Sequence, residues 1–184
     1  FYFSNIMTSS IDRVEILRGS NSSIYGSGAI GGVINIFTKN ETSKEKNINL
    51  TSGSNGTENI DFSVSDNYDN HYYYLGINRF NTRGISAMND EKLTNDDDSY
   101  KSDNLFANYF YEFSENNTLK GSLRYSNSFL NYDEVTSGRT DANNSTKDDE
   151  ISYNLIFMSK RDKLNNTFSY NYTGIERATK TFNN

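Results

Sequence analysis

From Lys46 onward the chain alternates polar and apolar residues, and this period of two constrains its fold more than any other feature. Thr118–Asn127 is the clearest case. Leu119, Gly121, Leu123 and Tyr125 fall on one side, and Lys120, Ser122, Arg124 and Ser126 on the other. Successive side chains of a strand point to opposite faces, so such a segment is an amphipathic strand. The same spacing recurs in Lys46–Ser52 (Ile48, Leu50), in Asn59–Ser65 (Ile60, Phe62, Val64) and in His71–Arg83, where Tyr73, Leu75 and Ile77 oppose Tyr72, Tyr74 and Gly76. It continues in Asn104–Phe113 (Leu105, Ala107, Tyr109, Tyr111, Phe113), Glu150–Lys160 (Ile151, Tyr153, Leu155, Phe157) and Leu164–Ile175 (Phe168, Tyr170, Tyr172).

The connections between these segments are of two kinds. Asp66–Asn70, Ser114–Asn117 and Arg161–Lys163 are short, and Ser52–Thr57 carries an Asn-Gly pair suited to a hairpin turn. Gly84–Lys101 and Tyr132–Lys147 are long and polar. Alternation alone fits a soluble β-sandwich as well as a membrane barrel. Strands near ten residues, and short turns alternating with long loops, favour an up-and-down transmembrane barrel. Aromatic residues near strand ends, namely Tyr72, Tyr111, Phe113, Phe129 and Tyr172, are expected to form its interfacial girdles.

Composition agrees once the barrel is considered. Hydrophobic residues are only 34% and the mean hydropathy is −0.80, yet fourteen Tyr and twelve Phe exceed what a disordered chain carries. A barrel needs only one apolar face; its lumen and loops are polar. No apolar run reaches the length of a transmembrane helix. Cysteine is absent, which excludes disulfides, Cys-ligated zinc and a thiol nucleophile. The net charge of −6 argues against a nucleic-acid partner. The chain begins at Phe1 without an initiator Met or a signal peptide, and we read it as an internal fragment of a longer protein.

Before the alternating region lies a different unit, Ile11–Lys39. Asp12–Arg18 alternates, with Val14 and Ile16 on one face and Arg13 and Glu15 on the other, as a half-buried strand does. Ser20–Tyr25 is long enough for one helical turn. Gly26–Gly32 holds four glycines, which suit positive φ or close packing. Gly32–Thr38 is a second strand. Gly26, Gly28 and Gly31 match the GxGxxG dinucleotide fingerprint in letters. That fingerprint requires a helix opening at its third glycine, and here a β-branched strand follows, so no enzyme is expected. His71, the single histidine, has no Cys or second His to join it in a site. The loop acids Asp90, Glu91, Asp96, Asp97, Asp98 and Asp103 offer many hard oxygens, as calcium requires, without the pattern of an EF-hand. A solvated acidic loop is the simpler reading.

Asp12 to Gly19 (DRVEILRG), Tyr25-Gly26 and Gly28 to Ile36 (GAIGGVINI) together resemble the end of the plug domain of TonB-dependent outer-membrane receptors. The resemblance marks Arg13, Glu15, Arg18, Gly19, Tyr25, Gly26, Gly28, Gly31, Gly32 and Asn35 as structural plug-motif residues, with Ser20 in a position where the family often has Pro or Ala. It implies a mainly β fold, in which residues 1–39 end a plug and residues 40–184 supply the first antiparallel strands of an incomplete transmembrane barrel. The loop from Asn95 to Asn104 is most similar to the cobalamin-receptor branch. That similarity implies calcium bound by Asp96, Asp98 and Asp103, with Asp141, Asp148, Asp149 and Glu150 as contributors if the loops pack together. What the family implies is active uptake of a scarce metal complex across the outer membrane of a Gram-negative bacterium. Cobalamin is the first expectation, and a ferric siderophore or haem the alternative. Outer-membrane lipid and a TonB-type energy transducer, gripped through a segment absent here, would be the partners. A soluble β-rich adhesive or binding domain is the competing reading of another class.

Overall fold

The computed structural model describes residues 6–39, 44–85, 97–133 and 144–181. They form two antiparallel sheets. β1 (Ile11–Arg18) pairs with β2 (Gly32–Thr38) as a two-stranded unit, preceded by a 3-10 turn at Thr8–Ser10 and interrupted by a single helical turn, α1 (Ser22–Tyr25). The second sheet is a seven-stranded meander in which each strand pairs with the next. Its strands are β3 (Glu45–Ser52), β4 (Glu58–Tyr68), β5 (His71–Thr82), β6 (Tyr100–Ser114), β7 (Asn117–Tyr132), β8 (Asn144–Arg161) and β9 (Leu164–Lys180). The sheet does not close on itself among the described residues. The positive φ of Asn55 and Gly56 closes the β3–β4 hairpin, as the Asn-Gly pair predicted.

The sheet is inverted relative to a soluble domain. On the face toward β1–β2, Asp61, Ser63, Ser102, Asn104, Ser126, Asp148 and Glu150 are buried. On the opposite face Ile60, Leu75, Ile77, Leu155 and Tyr170 remain exposed, and Phe168 is 66% exposed. The register places like with like across strands. Val64, Leu75, Ala107, Leu123, Tyr153 and Tyr172 are successive partners on the outer face, and Ser63, Gly76, Phe106, Arg124, Ser152 and Thr173 on the inner.

The outer face is bounded at both ends. At the short-turn end His71 stacks on Tyr111 (4.2 Å between centroids), Tyr111 meets Phe113 (4.3 Å), Phe113 meets Phe157 (6.4 Å) and Phe157 meets Phe168 (6.5 Å). This belt contains two of the expected girdle residues. Tyr72 instead lies on the inner face against Phe110, Tyr172 lies mid-face against Tyr153, and Phe129 lies in register between Lys101 and Lys147 at the long-loop end. One row nearer the apolar band, Arg79, Asp103, Asn127 and Asp149 are successive partners and form the first ionic row of the outer face. The apolar stretch of β6, Leu105 to Phe113, fits the about 9–11 residues a tilted transmembrane strand requires.

The strands are longer than their apolar alternation. Residues 144–147, expected as loop, and residues 148–149 and 176–180, outside the alternating segments, belong to β8 and β9. Apart from Ala178 they are polar on both faces, so alternation cannot mark them, but ladder hydrogen bonds hold them all the same. Val14 and Ile16 also depart from expectation. They are 48% and 65% exposed, so β1 is not the half-buried strand its pattern suggested, since the described residues place no element over that face.

Candidate functional site

The plug-motif residues assemble one hairpin. Gly19 N–H donates to Gly31 O (3.2 Å) and Asn21 N–H to Ala29 O (2.9 Å), which closes the glycine-rich turn above β1 and β2. Gly26 adopts φ +92° after α1. At Gly32 (φ +156°) a β-carbon would lie 2.7 Å from the Leu17 carbonyl oxygen, so the strand pair requires glycine there. Gly28 and Gly31 have open space around them and need no such account. Asn35 donates its side-chain amide to the Tyr25 hydroxyl (3.2 Å), tying the turn to β2. Arg13 bonds Glu15 (3.0 Å) and lies over the Phe37 ring (3.8 Å). The Glu15 hydrogen bond holds the Arg13 guanidinium protonated above even its ordinary range. Arg18 ends β1. Because Gly26–Gly31 runs into β2 and not a helix, it presents no helix N-terminus to a pyrophosphate.

This hairpin stands against the inner face of the large sheet. Its base is closed by Lys39 N–H to Ser10 O (2.8 Å) and joined to the wall by Asn108 Nδ2 to Lys39 O (3.2 Å) and the Tyr74 hydroxyl to Ser9 O (3.2 Å). Met7 lies with Tyr74 and Phe106 in the buried apolar cluster of the described residues. A cavity of about 230 Å³ remains between hairpin and wall, lined in part by Ser10, Ile36, Asn104 and Arg124.

The wall itself carries a ladder of polar groups. Asn78 Nδ2 donates to Asn59 Oδ1 (2.6 Å) and Asn104 Nδ2 to Asn78 Oδ1 (3.2 Å). Arg124 pairs with Glu150, and Arg177 grips Asp148 through two bonds (2.6 and 3.3 Å). Asn104 Oδ1 and Ser126 Oγ, in-register neighbours, are buried without a protein hydrogen bond and keep unused capacity on the inner face. Such a surface holds water or a polar solute, and an apolar core would reject both.

The acidic residues are dispersed. Asp103 is held by both oxygens to Arg79 (2.6 and 3.2 Å) on the outer face. Asp98 stands at the neck of the long loop, where Gly84 (φ +73°) passes its carbonyl too closely for a side chain. Asp96 and Asp141 lie outside the described residues. Asp148, Glu150 and Asp149 are neutralised by Arg177, Arg124 and Lys147. No group of three acidic or histidine side chains able to hold a metal occurs among the described residues, which do not include Asp96. The Met7 contact and the Arg–carboxylate ladder were not singled out from sequence. The usable signal was Gly76, a glycine inside an aromatic strand, which marks a close approach.

Comparison with known proteins places these elements. A family model described as the TonB-dependent Receptor Plug Domain matches residues 1–33. The vitamin B12 transporter BtuB of Vibrio vulnificus is 32% identical over 133 residues, covering 71% of this chain and 22% of that protein. BtuB of Vibrio cholerae is 30% identical over 155 residues, covering 80% and 24%. The ferric enterobactin receptor PirA of Pseudomonas aeruginosa is 40% identical over 62 residues, covering 30% of this chain and 8% of that receptor. Among solved structures, the siderophore receptor PiuA from Acinetobacter baumannii matches with TM-score 0.48 and 13% identity, covering 91% of this chain and 36% of that one. The chain therefore spans about a quarter or less of the length of these curated relatives.

Proposed function

We propose a function from one premise: this chain belongs to the TonB-dependent receptors, whose plug-family model it matches and whose relatives are transporters and receptors, not enzymes. The complete protein is an outer-membrane active transporter for a scarce metal complex, with cobalamin as its cargo. Residues 1–39 end the plug, and residues 40–184 form the first wall strands. The observation that carries the transporter reading is the inverted sheet, apolar outward and polar inward, with the hairpin seated on its polar face. An apolar outer face of this extent is unfavourable in water and favourable in lipid. Cobalamin is favoured over a siderophore because the BtuB similarity spans most of the chain, whereas the PirA similarity spans under a third.

Mechanistically, the hairpin obstructs the polar lumen, and the glycine-rich turn faces the compartment that the long loops face. Cargo binds between that turn and the loops. An energy transducer of the TonB type then displaces the plug from the inner side. Calcium belongs to the same proposal as an ordering cation for the long loops. Its candidate ligands are Asp96, Asp98 and Asp103, the last of which also pairs with Arg79. The test is labelled-cobalamin binding and uptake by cells carrying the full-length gene. Binding without the transducer, uptake only with it, and tighter binding with calcium than with chelator are expected. Cobalamin binding that ignores chelator removes calcium from the account. Absence of cobalamin binding, with ferric-siderophore uptake instead, moves the cargo to the alternative.

A further inference from the structure

The hairpin is joined to the wall at its base. Neither β1 nor β2 lies along a wall strand. Among the contacts there are hydrogen bonds from Tyr74 and Asn108 and one apolar side chain, Met7, which is 5% exposed. Met7 occupies a hole in the wall. Gly76 faces inward between Ser63 and Phe106 in the register, and a β-carbon there would overlap Met7 Cε and approach the Tyr74 ring to 3.1 Å. Any other residue at 76 narrows the hole. Methionine suits a reversible knob, because its unbranched stem enters and leaves by torsion changes alone and its thioether packs well on aromatic rings. Tyr74 does double duty, lining the hole with its ring and bonding Ser9 O with its hydroxyl.

We infer that Met7 is the positioning residue that seats the plug, and that Gly76, Tyr74 and Phe106 form its socket on the barrel wall. This rests on the transporter reading above. Seated, the knob holds the hairpin base against β5 and β6 and keeps the lumen shut; unseated, it frees the base from its apolar anchor.

The experiment uses the full-length receptor, purified and reconstituted in planar bilayers, with heat-shifted electrophoretic mobility as the control for a folded barrel. Gly76→Leu fills the socket and Met7→Ala removes the knob without touching the wall. Each is expected to raise passive conductance severalfold over the native receptor while the barrel stays folded. Combining them, so that the leucine at 76 fills the space the knob has left, is expected to bring conductance back toward the native level. Native conductance in Met7→Ala overturns the inference, whether or not Gly76→Leu folds, and so does a double variant as leaky as the single ones. A native protein that gives no heat-shifted barrel refutes the transporter reading itself, an outcome separate from failure of the seat.

Discussion

At Gly32 the backbone reaches φ +156° with the Leu17 carbonyl immediately beside the missing side chain. Gly32→Ala must distort the β1–β2 pairing, at a cost of roughly 1–3 kcal/mol for a strained backbone position. Calorimetry of the full-length receptor is expected to show a lowered plug transition with the barrel transition unchanged; a shift in both would mean that hairpin and wall unfold as one. The acidic residues show what the register adds to composition at this scale. A run of aspartates suggests a cation site, and in the fold Asp103, Asp148, Asp149 and Glu150 are each paired with an Arg or Lys from the same or the adjacent strand. The cross-strand partners are visible only once the register is known, because Arg79 and Asp103, or Asp148 and Arg177, are far apart in the sequence and opposite one another in the sheet.

At the scale of the strand, the alternation was sufficient to assign both faces of β4 to β9, because one face is apolar and the other polar. It was insufficient where both faces are polar. The ends of β8 and β9 extend past Asp149 and Glu176 with polar residues on both sides, and only backbone pairing defines them. The girdle was legible in part: Tyr111 and Phe113 lie on the face their alternation assigned, whereas Tyr72 was chosen for its place near a strand end and faces inward. Between Leu123, which faces outward in mid-band, and its neighbour Ser122, which faces inward, the same substitution should have opposite consequences. Leu123→Arg is expected to cost about 2–4 kcal/mol of barrel stability near the membrane midplane, read as a lowered denaturant midpoint in lipid vesicles. Ser122→Arg should be near neutral. Equal losses would contradict the assignment of faces.

For the whole molecule, the described residues make sense only as part of something larger. The sheet buries serines and carboxylates, exposes tyrosines and leucines, and leaves β3 and β9 as edges that a closed barrel would pair. The two halves of the chain explain each other, since a polar lumen needs an obstruction and a hairpin this small needs a wall to lean on. The plug motif was legible in the sequence because its glycines and charged strand are local; its seat was not, because Met7 and Gly76 meet only through the tertiary fold. The account rests on the claim that the outer face of this sheet meets lipid. Single spin labels placed from position 119 to 126 of β7, in the full-length receptor in bilayers, test it through collision with oxygen and with a water-soluble nickel chelate. The account predicts a period of two, with oxygen contact high at 119, 121, 123 and 125 and low at 120, 122, 124 and 126. Uniform accessibility to the nickel chelate along the strand would show that β7 stands in water, and would contradict the account.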